Sequence, residues 1–155
     1  MRFGWVRAMC AAALFVPMLW SGFAKAQDTT ASPVGRWKTV DDTTGKVKSI
    51  VDIRGENGTL YGKIEKVLDP DVPGPNPLCT HCEGDLKDKP ENGLQILWGM
   101  KRNGGQWEGG QILDPHNGKV YRCILSLEDG GRKLKVRGFI GFALLGRTEY
   151  WLREE

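Results

Sequence analysis

The chain has 155 residues, 22 Lys+Arg against 19 Asp+Glu, and a formal charge of +3. Arg2, Arg7 and Lys25 hold that whole excess, so residues 27–155 carry 19 bases and 19 acids and no net charge. The length suits one domain with its own core. Balanced charge gives no long-range field toward nucleic acid or an acidic membrane, and 40% hydrophobic residues with 26% charged ones exclude a disordered chain.

Residues 1–26 read as a secretion signal. Arg2 and Arg7 form the positive region, Ala8 to Trp20 the apolar stretch, and Ala24-Lys25-Ala26 the cleavage site. The stretch falls short of the ~20 apolar residues of a membrane span and is interrupted by Pro17. Cleavage after Ala26 is expected, with a periplasmic protein as the result and no transmembrane segment in the mature chain. Residues 27–33 are expected to be a disordered N-terminus and residues 34–155 a single domain.

From there the chain alternates with period two and is broken by turn residues, the pattern of short strands. Strands are predicted at Val34–Val40, Lys46–Ile53, Thr59–Leu68, Gly93–Lys101, Gln106–Leu113, Lys119–Leu127, Arg132–Arg137 and Gly146–Arg153. Most are joined by turns of three to five residues, among them Asn103-Gly104-Gly105 and Glu128-Asp129-Gly130-Gly131. Such turns force antiparallel neighbours. The long irregular exception, Asp69 to Asn92, is rich in Pro and Gly. Eight meandering strands leave two bare edges unless the sheet closes on itself. The fold class is therefore all-β, an eight-stranded antiparallel up-and-down barrel that encloses side chains or one small ligand. A two-sheet sandwich is the alternative.

Gly35-Arg36-Trp37 on the first strand resembles the G-x-W opening of lipocalins and their calycin relatives. The resemblance implies that Trp37 plugs the closed end of the barrel and that an Arg near the last strand, Arg147 or Arg153, packs over it. A closer resemblance, to a family of secreted bacterial proteins known as a domain of unknown function, covers Gly35 to Arg153. It rests on Gly35-Arg36-Trp37 with Asp41-Asp42, Gly62-Lys63-Ile64, Cys79-Thr80-His81-Cys82, Gly93-Leu94, Asp114 through Tyr121, Arg137 through Gly141, and Gly146-Arg147-Thr148 with Trp151. It implies a lipocalin-like barrel in the cell envelope and brings no established activity.

The C-x-x-C at Cys79 and Cys82 is the motif with most chemistry in it. No βαβ pattern surrounds it, as a thioredoxin-like site requires. Glu83 stands where a c-type haem motif has His. Cys79, Cys82, Cys123 and a histidine match no standard zinc spacing. A structural disulfide in an oxidising compartment is the reading adopted, with a redox pair as the rival. Beyond the signal there are three cysteines, Cys79, Cys82 and Cys123. All three pairings stay open, and a bond from Cys123 would staple the long loop to a central strand.

Aromatic and thioether side chains supply the candidate ligand site. Tyr121 shares a face with Cys123, Leu125 and Leu127, and Trp98 shares one with Met100 by alternation. With Trp151 they are the expected lining of an apolar pocket, or else they fill a solid core. Asp114-Pro115-His116-Asn117-Gly118 reads as a reversing loop. The link around Phe139-Ile140 and Phe142-Ala143-Leu144-Leu145 reads as a buried turn or an apolar flap. No motif points to a catalytic residue, a metal or another cofactor. The expected function is a periplasmic lipocalin-like protein holding a small, largely apolar ligand. An envelope redox or stress protein and a non-catalytic structural barrel are the alternatives. Oligomeric state, monomer or dimer, is left open.

Overall fold

The computed structural model describes residues 31–155; the expected secretion signal and most of the expected N-terminal tail lie outside the described residues. Eight strands form one closed antiparallel barrel in chain order. They are β1 (Gly35–Val40), β2 (Val47–Glu56), β3 (Thr59–Val67), β4 (Gln95–Asn103), β5 (Gln106–Asp114), β6 (Lys119–Glu128), β7 (Lys133–Phe139) and β8 (Arg147–Arg153). Closure rules out the sandwich, because β1 pairs with both β2 and β8. That last seam is thin: Trp37 faces Arg153 and Lys38 faces Leu152, and no further pair joins β1 to β8.

Side chains alternate in and out along each strand, and residues in register share a face. Trp37 pairs with Val51, and Val51 with Ile64. Trp107 pairs with Leu125, Leu125 with Val136, and Leu134 with both Leu127 and Trp151. Apart from half-buried Leu127, all of these are 6% exposed or less, so the barrel interior is the core. Cross-strand contacts of this kind, and not backbone propensity, select the face each strand turns inward.

Strict alternation fails once where it matters. Leu97 pairs with Gly62 and Met100 with Leu60, so two steps along β3 match three along β4. Gly99, at φ +75°, takes up the extra residue as a bulge. Leu97 and Met100 both point inward, and Trp98 turns to the outer wall, where Nε1 donates to Gln111 Oε1 at 3.2 Å. The expected shared face of Trp98 and Met100 is therefore corrected: Met100 is in the core and Trp98 is outside the barrel.

Pro33 is fully buried and its carbonyl accepts a 2.7 Å hydrogen bond from Trp37 Nε1. No helix among the described residues is long and apolar enough to cross a membrane.

Candidate functional site

An up-and-down barrel has two different ends. The tight β2–β3, β4–β5 and β6–β7 turns, the start of β1 and the end of β8 gather at one. The links 41–46, 68–94, 115–118 and 140–146 gather at the other.

The first end is shut. The Arg153 guanidinium lies 4.2 Å from the Trp37 ring centroid, a cation–π distance. Its three nitrogens donate to the carbonyls of Gly131 (2.7 Å), Val34 (3.1 Å) and Ser32 (2.8 Å). A planar fork with five donors suits that task, where a lysine ammonium would reach fewer partners. Arg147 is placed at the opposite end, so of the two candidates only Arg153 covers Trp37. Gly35, at φ +130°, leaves room for it, since a Cβ there would sit 2.9 Å from Arg153 Nη1.

The second end is polar and reachable from solvent. Glu149 pairs with Val136 and alternates with Trp151, so its carboxylate faces into the barrel. Its side chain nevertheless keeps 38% of its exposure. It is an inward-facing group that water still reaches at the open end. Burial pushes the Glu149 carboxyl above its usual range, against the lowering effects of Arg147 and the Trp151 indole. One step deeper, Trp151 Nε1 is buried, and the Glu149 carboxylate is the polar group it interacts with. Arg147 rims the opening, 3.5 Å from Glu149 and 3.7 Å from Asp42. Its bridge to Asp42 spans the part of the β1–β8 seam that has no backbone pairing. Across the barrel, half-buried Tyr121 is held by Asn117 Nδ2, which donates to its hydroxyl at 3.0 Å. Thr39 and Ser49 face each other at 2.8 Å.

The long loop packs against the outside of this rim. Cys79 and Cys82 form a disulfide and are 0% and 1% exposed. Gly118, in the β5–β6 turn, touches the His81 backbone so closely that a Cβ would fall 1.8 Å from its carbonyl oxygen. The turn is locked by Asp114, whose carboxylate accepts from His116 N and Asn117 Nδ2, each at 2.9 Å. Among the described residues no three His, Cys, Asp or Glu side chains converge as metal ligands.

A family profile described as an uncharacterized protein conserved in bacteria, DUF2147, matches residues 35–153. The chain belongs to the DUF2147 family. Among solved structures it is similar to protein HP1028 from the human pathogen Helicobacter pylori, which is described as belonging to the lipocalin family. The TM-score is 0.69 at 19% identity, over 81% of this chain and 85% of that one. The likeness shows a lipocalin-like fold. No curated protein matches the chain.

Of the expected ligand residues, this DUF2147 protein brings Tyr121 to the mouth, buries Trp151 beneath Glu149, buries Met100 completely and turns Trp98 out. Glu149 was not among them, although its two-residue spacing from Trp151 on the last strand was the signal that finds it. Cys123 is corrected too: it is free, 1% exposed, and faces inward between Gly110 and Gly138. The loop cysteines lie outside the wall, so Cys123 cannot staple them.

Burial pushes the Cys123 thiol up to about 12 from 9.0. Only the thiolate reacts with alkylating agents, so native protein at pH 8 should resist iodoacetamide and label fully when unfolded. The sign of the linkage follows. Between pH 9.0 and about 12 the unfolded thiol ionises and the folded one does not. Folding stability should then fall with rising pH, by at most about 1.4 kcal/mol per unit for this one proton. Urea titrations of Cys123→Ala against the parent across that range should show the slope difference; parallel curves would refute it.

Proposed function

We propose that the chain is an extracytoplasmic small-ligand-binding protein whose site is the open end of the barrel. The lower barrel is filled by Trp37, Trp107, Trp151, Leu125 and Leu134, all 6% exposed or less. The ligand therefore sits above Trp151 and not through the whole interior. One observation carries the reading: an inward-facing but reachable carboxylate directly above a buried indole N–H that it faces. Such a pair asks for a molecule with an apolar body and one end that both donates and accepts hydrogen bonds, as a hydroxyl or an amide does. Tyr121 and Arg147 flank that end. The lipocalin-like fold and the disulfide support a ligand-binding protein of an oxidising compartment, the periplasm being the expected one.

Native mass spectrometry of the exported protein tests for a ligand retained from the cell. Tryptophan fluorescence with 1-dodecanol and with dodecane tests the chemistry. The alcohol should bind at least tenfold more tightly than the alkane, and Glu149→Leu should erase the difference, as loss of a charge-assisted hydrogen bond predicts. No retained ligand together with no response to either probe would overturn the site. Glu149→Gln should meanwhile stabilise the empty protein at pH 7. The folded carboxyl is raised, so folding favours the neutral form, and the penalty is present only above the carboxylate range. Thermal melts at pH 7 and pH 3.5 should show the gain at the first and not at the second.

The redox reading draws less support. Both sulfurs are shut away from solvent, and Cys79 Sγ lies 3.7 Å from the Pro115 carbonyl. Thiol–disulfide exchange needs access to a sulfur. The bond serves to hold the loop.

A further inference from the structure

The link between β7 and β8 carries a concentration of exposed apolar surface that a solvated loop has no reason to keep. Ile140, Phe142, Leu144 and Leu145 are 64%, 79%, 88% and 80% exposed. Four large side chains on six consecutive residues present roughly 500 Å², within the range of patches that mark interaction sites.

The backbone beneath them is already satisfied. Leu145 N donates to Phe142 O and Gly146 N to Ala143 O. Arg137 donates from Nε to Ala143 O at 2.7 Å and from Nη2 to Leu144 O at 3.1 Å. Arg122 Nη1 reaches Gly141 O at 3.5 Å. A segment that enters lipid must meet its own backbone hydrogen bonds, because no water is there to do so. This tip meets most of them with a short 3-10 turn and two guanidinium groups.

Those groups also fix the charge at its base. Arg122 and Arg137 lie under the tip, and Lys119 borders Ile140 on one groove. The acids bordering the tip are Glu108 beside Phe142 and Glu83 beside Ile140. The local balance is three cations to two anions on a chain that is neutral beyond residue 26, so any attraction acts at contact distance and not at long range. A protruding tip of this area falls short of the ~800 Å² per partner of a standard protein interface. It does match the depth of an interfacial anchor, with apolar side chains in the acyl boundary and Arg at the headgroups.

We propose that the 140–146 link is a membrane-surface anchor that inserts Phe142, Leu144 and Leu145 into an anionic bilayer and holds the barrel mouth against it. The anchor is independent of what the open end binds.

Vesicle co-sedimentation of the protein beginning at Gln27, which keeps every described strand, tests it. Vesicles of phosphatidylethanolamine with one-quarter phosphatidylglycerol should pellet the protein, and pure phosphatidylcholine vesicles should pellet at least fivefold less. The double variant F142D/L144D should lose at least tenfold in binding with an unchanged melting temperature, because both side chains are solvent-facing. I140S is a milder second variant with a smaller loss. Equal binding to both vesicle types, undiminished binding of the double variant, or no vesicle binding would overturn the proposal. Sedimentation showing instead a dimer that F142D/L144D breaks would assign the tip to a second copy of the chain.

Discussion

Trp37→Ala should lower folding stability by about 3–5 kcal/mol, the usual cost of emptying a buried Trp site. That is a large share of the 5–15 kcal/mol that holds a typical domain together. Trp37 is 0% exposed, and its indole carries more than its own burial. It fixes the N-terminal segment through Pro33 O and is the surface on which Arg153 lies. Arg153 in turn ties residues 32 and 34 to the β6–β7 turn. Because β1 and β8 share just two paired positions, this end is where the barrel is held shut. Arg153→Met should cost about 2–4 kcal/mol through three hydrogen bonds and the ring contact. A double-mutant cycle with Trp37→Leu, read by urea unfolding, should give a coupling of at least about 0.5 kcal/mol. Additive losses would show that the stacked pair is incidental.

Gly118→Ala should cost at least about 2 kcal/mol and release the disulfide loop. The left-handed backbone, at φ +70°, penalises any Cβ by about 1–2 kcal/mol. The larger effect is the collision: the new atom would lie 1.8 Å from His81 O and 2.3 Å from His81 C, both backbone. A side chain could rotate away, but here the loop itself must move. Gly45 is the matched control, since it has the same φ of +70° and nothing within 4 Å. Gly45→Ala should show the backbone cost alone. The loop's release should also speed reduction of Cys79–Cys82 by dithiothreitol at least tenfold, because both sulfurs lose their cover. Equal melting temperatures for the two variants would remove the loop-docking account.

Much of the architecture was legible because a barrel of short hairpins is written locally. Each strand alternates, and each tight turn carries Gly, Asn or Asp where the backbone reverses, as at Asn57-Gly58 and Gly104-Gly105. The strand ends moved by one to three residues, since pairing with a neighbour extends a strand past its own pattern, as Arg54–Glu56 does against Thr59–Tyr61. The exception was β4. Alternation puts Trp98 and Met100 on one face, and nothing local reveals that Gly99 inserts a bulge between them. A bulge is a mismatch between two strands, so one strand does not contain it.

The site was legible only in part. Tyr121 and Trp151 stand out as large aromatics on inward faces. Glu149 does not, because its meaning comes from being inward and reachable together, and reach depends on how far the filled core extends upward. Cys123 shows the same limit. Three cysteines allow three pairings, and the fold decides by putting the wall of the barrel between Cys123 and the other two.

By itself the sequence determined the strand number, the antiparallel order and the balance of charge beyond residue 26. These depend on local periodicity, turn chemistry and counting, which survive without neighbours. The tertiary structure decided which arginine covers Trp37, which cysteine stays free, which way Trp98 faces, and that a carboxylate sits within the mouth. Each of those is a relation between strands distant in the chain, settled by register and packing at sites where residues meet only after the barrel has closed.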